Sequence, residues 1–194
     1  MKNFKIISLV CLMVFALQAC KKDNSSPLDD GEVTMVIDGK NYKSTLVENF
    51  ESYVDTSEWN LYPGGTIEID TVNTLNGNST LKLISTDYCF HLEKIEGIAV
   101  NKDKVYVINF NYKLPITTIE ELNNGFGWTC MGPFRMEIKQ GQDILLSEWC
   151  AEIDSWTEKY FYFQPLNDVP IKIEFIVGTK KGLWLDDLLI LEEY

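Results

Sequence analysis

The chain has 194 residues, 45% of them hydrophobic and 24% charged, with a formal net charge of −12 from 17 Lys+Arg against 29 Asp+Glu. That balance excludes nucleic acid as a partner, because a phosphate backbone must be neutralised by cations that this surface lacks. The single histidine, His91, excludes a His-paired zinc site, and an aromatic content of 12% with dense β-branched runs excludes intrinsic disorder.

The N-terminal segment reads as an export signal. Lys2 and Lys5 precede an apolar run from Ile6 to Ala16 that is too short to span a bilayer comfortably. It ends in Leu17-Gln18-Ala19-Cys20, which resembles the bacterial lipobox, whose cysteine becomes the lipidated N-terminus. The resemblance implies a signal peptide over 1–19, lipidation at Cys20, attachment to a membrane through that lipid, and an outer-membrane or cell-surface location. Residues 20–32 form a tether, and Lys21 to Asp30 within it show no apolar periodicity. With Cys11 removed and Cys20 lipidated, Cys89, Cys130 and Cys150 remain, enough for one disulfide and a spare thiol, or for buried reduced cysteines.

From Val33 to the end, 33–194, the pattern is that of a single all-β unit. Val33, Met35 and Ile37 alternate with Thr34 and Val36, and Asp38-Gly39 turns the chain toward Tyr42 to Leu46, so 33–46 is a hairpin by its turn chemistry. Ile67 and Ile69, then Leu81 and Leu83, mark two further strands. The clearest strand is Lys104 to Leu114, with Tyr106, Ile108, Phe110, Tyr112 and Leu114 on one face. Thr117 to Asn123 alone looks helical. Phe134, Met136 and Ile138 share a face, as do Ile171, Ile173, Phe175 and Val177, and Trp184 to Leu191 is a nearly all-apolar strand interrupted by Asp186-Asp187. Many short strands separated by turns mean a β-sandwich or barrel.

Gly141-Gln142 is a two-residue turn with glycine first, which suits a type II′ hairpin between 134–140 and 143–149. An unbroken register places Phe134 opposite Trp149, turning Trp149 to the core, and Arg135 opposite Glu148 on the other face. It also brings Cys130 and Cys150 to one end of the hairpin, within plausible bridging distance.

Three stretches carry a family resemblance. They are Asn49-Phe50-Glu51 followed by Trp59, the turn-to-strand run Asn76 to Leu83, and Gly182-Leu183-Trp184-Leu185-Asp186-Asp187-Leu188-Leu189-Ile190. In order and spacing they resemble the galactose-binding-like jelly rolls, which include many carbohydrate-binding modules. The resemblance covers 46–194, leaves the hairpin at 33–46 as an added edge, and implies a jelly-roll sandwich of two antiparallel sheets. It also implies a structural calcium ion, held by carboxylates of Glu51 and of Asp186 or Asp187, with oxygens from Asn76 to Asn78, because converging acids need a hard cation.

Sugar recognition needs aromatic faces with polar groups beside them. Phe161 and Phe163 alternate with Tyr160 and Tyr162, so outward tyrosines on the sheet that carries Arg135 form a candidate platform. Trp128, in the glycine-rich loop Asn123 to Trp128, is the candidate loop aromatic, whereas Trp59, Trp156 and Tyr62 are read as packing residues. Ser79 to Lys82 matches S-x-x-K by chance, since the segment reads as strand, and Cys89 with His91 lacks an orienting third group. The expectation is a lipid-anchored, non-catalytic envelope protein that binds a glycan or polysaccharide. The alternative is a structural envelope subunit that uses the same surface for a protein partner.

Overall fold

The computed structural model describes residues 31–51, 58–75, 77–86, 88–124, 129–130 and 132–194. Among these residues twelve strands and one short helix follow in order: β1 Thr34–Ile37, β2 Lys40–Glu48, β3 Trp59–Leu61, β4 Gly65–Asp70, β5 Thr80–Ser85, β6 Phe90–Lys94, β7 Tyr106–Leu114, α1 Ile119–Asn123, β8 Phe134–Gln140, β9 Asp143–Trp149, β10 Ile153–Phe163, β11 Ile171–Val177 and β12 Leu183–Glu193. The helix is capped by Thr118 and Glu121, each bonding the other's backbone.

The strands form two antiparallel sheets. In the seven-stranded sheet, β12 pairs along one side with β5 and then β2, and along the other with β7. Strands β4, β1 and β10 extend it beyond β5, β2 and β7. The five-stranded sheet runs β3-β6-β11-β8-β9. From β5 onward the chain passes repeatedly between the sheets, and β8–β9 is a hairpin within one of them. This is a jelly roll, as the sequence implied.

Alternation explains the core. Tyr106, Ile108, Phe110, Tyr112 and Leu114 of β7 all point inward and are buried, and Phe110 meets Phe134 and Phe175 of the opposite sheet at 6.2 Å in each case. Each such side chain, fully removed from water, contributes about 1.5–3 kcal/mol. The outer face of the seven-stranded sheet carries a second, smaller core of Tyr42, Val107, Leu189 and Leu191, with Val33, Met35 and Ile37 packed against it. The β1–β2 turn has Asp38 at φ 50 and Gly39 at φ 77, the pair of left-handed residues that a type I′ hairpin requires.

Two bulges redirect side chains. In β12, Asp187 adopts φ 50 and the pairing with β7 slips by one residue between Asp186 and Leu189. Leu188 and Ile190 thereby return to the main core while Leu189 and Leu191 face the smaller one. In β9 the hairpin begins in the expected register, Gln140 opposite Asp143 and Lys139 opposite Ile144, with Gly141 at φ 61. A bulge then pairs Ile138 with Leu146 and Arg135 with Trp149. The expectation that Trp149 enters the core is corrected: it lies on the outer face beside Arg135, because a one-residue slip reverses every later side chain.

The expected Cys130–Cys150 bridge is also corrected. Cys89 bonds Cys130, with their Cα atoms 5.1 Å apart, and Cys150 is a free, buried thiol. The reason is strand order. Phe90 and Phe134 both sit opposite Val177 of β11, so the residues leading into β6 and β8 meet at the same end of the sheet. The slip in β9 meanwhile turns Cys150 to the core, where burial pushes its thiol up to about 12.

Candidate glycan-binding face

The outer face of the five-stranded sheet is ordered in ranks that cross the strands. Register places Tyr62, just past β3, beside His91 on β6, then Ile176 on β11, Arg135 on β8 and Trp149 on β9. This rank crosses four inter-strand steps, roughly 19 Å at ordinary sheet spacing. Its ends are aromatic and half exposed, Tyr62 at 46% and Trp149 at 47%, while Ile176 in the middle is buried. A low floor between two aromatic walls results.

Each end is held by its neighbours. The His91 ring meets Tyr62 edge-on at 5.9 Å, and the Arg135 guanidinium lies 5.1 Å from the centre of the Trp149 ring. Gly132 lies under Trp149, and a Cβ there would stand 2.3 Å from the indole, so only glycine lets the ring rest in this position.

The next rank is acidic: Glu93, Glu174 and Glu137 stand side by side on β6, β11 and β8. Three carboxylates at sheet spacing would repel, and the lysines and hydrogen-bond partners around them offset that repulsion. His91 Nδ1 lies 2.6 Å from Glu174 Oε1, Lys139 reaches both Glu174 and Glu137, and Lys172 reaches Glu93 at 3.5 Å. Tyr62 Oη donates to Glu93 at 3.2 Å, and Ser147 Oγ donates to Glu137 at 3.2 Å. Burial pushes the Glu174 carboxyl up, but its bonds to Lys139 and His91 outweigh that and hold it below the usual glutamate range. The same pairing raises Lys139 against the opposing effect of its own burial.

The sequence candidates fall in different places. Arg135 is at the centre of this face, but Tyr160 and Tyr162 are not on its sheet. They project from β10 on the outer face of the seven-stranded sheet, 48% and 41% exposed, and the Tyr162 hydroxyl donates to Asp38 at 2.5 Å. The expectation that these tyrosines share a platform with Arg135 is corrected, because β10 pairs with β7 and not with β8. Trp128 and Cys20 lie outside the described residues, as does Asn76. Trp59 is buried as expected, whereas Tyr62, read as a packing residue, faces outward. Its position was legible, since Trp59 and Tyr62 lie three apart and an extended chain turns such residues to opposite sides. Trp184 is buried on the other sheet, its indole Nε1 donating to Asp70 Oδ2 at 2.6 Å with Lys82 and Lys113 each 5.6 Å from the ring.

Of the residues named for calcium, Glu51, Asn78, Asp186 and Asp187 are described and lie near the β12 bulge. Asp186 is 1% exposed and its Oδ2 has no hydrogen-bond partner among the described residues. Burial first, then the neighbouring charges of Asp187 and Glu51, push its carboxyl up to about 7. Glu51 Oε2 accepts the amides of Asn78 at 2.8 Å and Ser79 at 3.2 Å, and Gly77 leaves room for this carboxylate, since a Cβ there would fall 1.2 Å from Oε1. Asp187 Oδ2 accepts from Asn111 at 3.3 Å. Among the described residues no three His, Cys, Asp or Glu side chains converge on one metal position, so a cation here would need backbone oxygens to complete its shell. The orphaned Asp186 oxygen fits such a cation.

No protein-family model matches the chain, and no curated protein matches it. Solved structures do. The CBM22-1–GH10 modules of Clostridium thermocellum endo-1,4-β-D-xylanase 10B, complexed with xylohexaose, match with a TM-score of 0.57 at 12% identity over 78% of this chain. This chain spans only 28% of that one. The C-terminal family 22 carbohydrate-binding module of the same enzyme matches at 0.51, 10% identity and 76% of this chain against 92% of its own. The CBM22-1 xylan-binding domain from Paenibacillus barcinonensis matches at 0.50, 15% identity and 77% against 94%. The galactose-binding-like jelly roll implied by the sequence motifs is therefore the fold of the chain.

Proposed function

We propose that the chain is a non-catalytic, carbohydrate-binding jelly roll, exported and attached to the membrane through a lipid on Cys20. Polysaccharide lies along the rank from Tyr62 to Trp149, stacking on the two aromatic walls and hydrogen-bonding to the polar groups between them. The observation that carries this reading is the alignment of two half-exposed aromatics with the chain's only histidine and only arginine, straight across one open sheet face. Sugar rings offer apolar C–H faces and a ring of hydroxyls, which is the chemistry such a rank complements. The solved neighbours include xylan-binding domains, so xylan is the first polysaccharide to test. In affinity electrophoresis through polysaccharide gels, Trp149→Ala and Tyr62→Ala are expected to abolish retardation while Tyr160→Ala retains it. Equal retardation of all three variants would overturn the reading.

The lipid anchor rests on the lipobox-like run ending at Cys20. Cys20→Ala is expected to stop incorporation of labelled fatty acid and to release the protein from membranes, because the lipid is the attachment this reading proposes. Continued labelling would overturn it.

A calcium ion is proposed at the Asp187 bulge, with Glu51 and Asp186 as carboxylates and backbone oxygens near Asn78 completing the shell. When bound it supplies charge compensation, not chemistry on a ligand. The melting temperature is expected to rise with calcium in the wild type and to ignore calcium in Asp186→Asn, since only the folded chain assembles the site. Equal melting in chelator and in about 1 mM calcium would overturn it.

A further inference from the structure

We propose that the open face takes a polysaccharide bearing carboxylates, with Arg135 as the group that reads them; this rests on the glycan reading above. Arg135 is the chain's only arginine, and it stands next to Trp149 in the cross-strand rank. Its Nε lies 3.2 Å from Glu137 Oε1 but out of line for a hydrogen bond. Among the described residues Glu137 is its only charged partner, so the terminal amino groups remain open to a ligand.

The other cations of the face are committed. Lys139 is held by Glu137 and Glu174, and Lys172 by Glu93. Both lysines are thus spent on the acidic rank. Arg135, Lys139 and Lys172 balance Glu93, Glu137 and Glu174, leaving this face locally neutral on a chain whose net charge is −12. An acidic glycan therefore meets less repulsion here than the average surface would give it.

Geometry adds selectivity to tolerance. A guanidinium is a rigid planar fork that pairs with a carboxylate through two parallel N–H···O bonds, which a lysine ammonium cannot do. The guanidinium lies 5.1 Å from the centre of the half-exposed Trp149 ring, so a sugar packed on that ring lies beside the fork. A ring seated on Trp149 carries its substituents to the edge of Arg135. Uncharged hydroxyls can accept the same donors, but the charge-assisted bond is the stronger, by about tenfold in affinity.

The test is calorimetric titration of the full chain with glucuronoxylan, polygalacturonate and alginate fragments, each beside the same preparation after its carboxyls have been reduced to alcohols. At least one acidic form is expected to bind about tenfold more tightly than its reduced counterpart. Arg135→Gln is expected to erase that preference, weakening the acidic form about tenfold more than the reduced form so that the two bind alike, and Arg135→Lys to restore only part of the preference. Equal affinity for every acidic and reduced pair, lost in Trp149→Ala, would overturn the carboxylate assignment and leave the glycan face standing. Binding of neither form in any pair would overturn both.

Discussion

The two sheets turn very different outer faces to their surroundings. On the seven-stranded sheet the outer face is closed by the chain itself: Tyr42, Val107, Leu189 and Leu191 form a second core beneath β1 and β2. On the five-stranded sheet no comparable cover is found among the described residues, and aromatic, basic and acidic side chains stand in ranks that bond to one another. An apolar outer face is one that the fold has used for stability, whereas an open face with tethered polar groups and half-exposed aromatics is available to a ligand. This contrast is the reason the proposed binding face is put on the smaller sheet.

Mutations can break this contrast. The largest expected effect is on the closed face, where Tyr42→Ala removes the centre of the second core and should lower unfolding free energy by about 3–5 kcal/mol, measured by urea denaturation. Ligand affinity at temperatures where the variant stays folded should not change. Next is the crosslink at one end of the open sheet: replacing Cys89 and Cys130 by serine frees a loop with a sequence separation of 41 and should cost about 2–4 kcal/mol of stability. Trp149→Ala inverts the pattern, costing about 2 kcal/mol in binding, or roughly thirtyfold in Kd, with a smaller change in stability because the ring is half exposed.

Acid should act on the open face through Glu174. Its folded pKa lies below that of the unfolded chain, so its contribution to stability is complete above the ordinary glutamate range and is lost as pH falls through the lower folded value. A plot of melting temperature against pH should therefore decline on the acid side, and Glu174→Gln should flatten that decline. An unchanged slope would show that the acidic rank is not held as described. The smallest expected effect is that of Tyr160→Ala, an exposed aromatic on the other sheet, which should alter stability by less than about 0.5 kcal/mol and leave affinity untouched.

Much of the fold was legible because its signals are local. The alternation of Tyr106 to Leu114, the left-handed pair Asp38-Gly39 and the glycine-first turn at Gly141 each act within a few residues, and each formed as read. The site was less legible because it depends on pairings between distant segments. Tyr160 and Arg135 belong to strands whose sheet membership no short pattern specifies. Trp149 was assigned to the wrong face through a bulge that left one trace: Ile144, Leu145 and Leu146 are three apolar residues in succession, where a regular half-buried strand would alternate. The Cys89–Cys130 bridge likewise follows from β6 and β8 flanking β11, an order that cysteine spacing does not encode.

The central claim is that ligand lies across the five-stranded sheet from Tyr62 to Trp149. Amide and indole NMR shifts during titration with a bound polysaccharide fragment test it directly. Saturable shifts are expected at Tyr62, His91, Arg135, Ile176 and the Trp149 indole, all with one Kd, and none at Tyr160 or Tyr162. Shifts centred on Tyr160 and Tyr162, with the rank from Tyr62 to Trp149 silent, would contradict it.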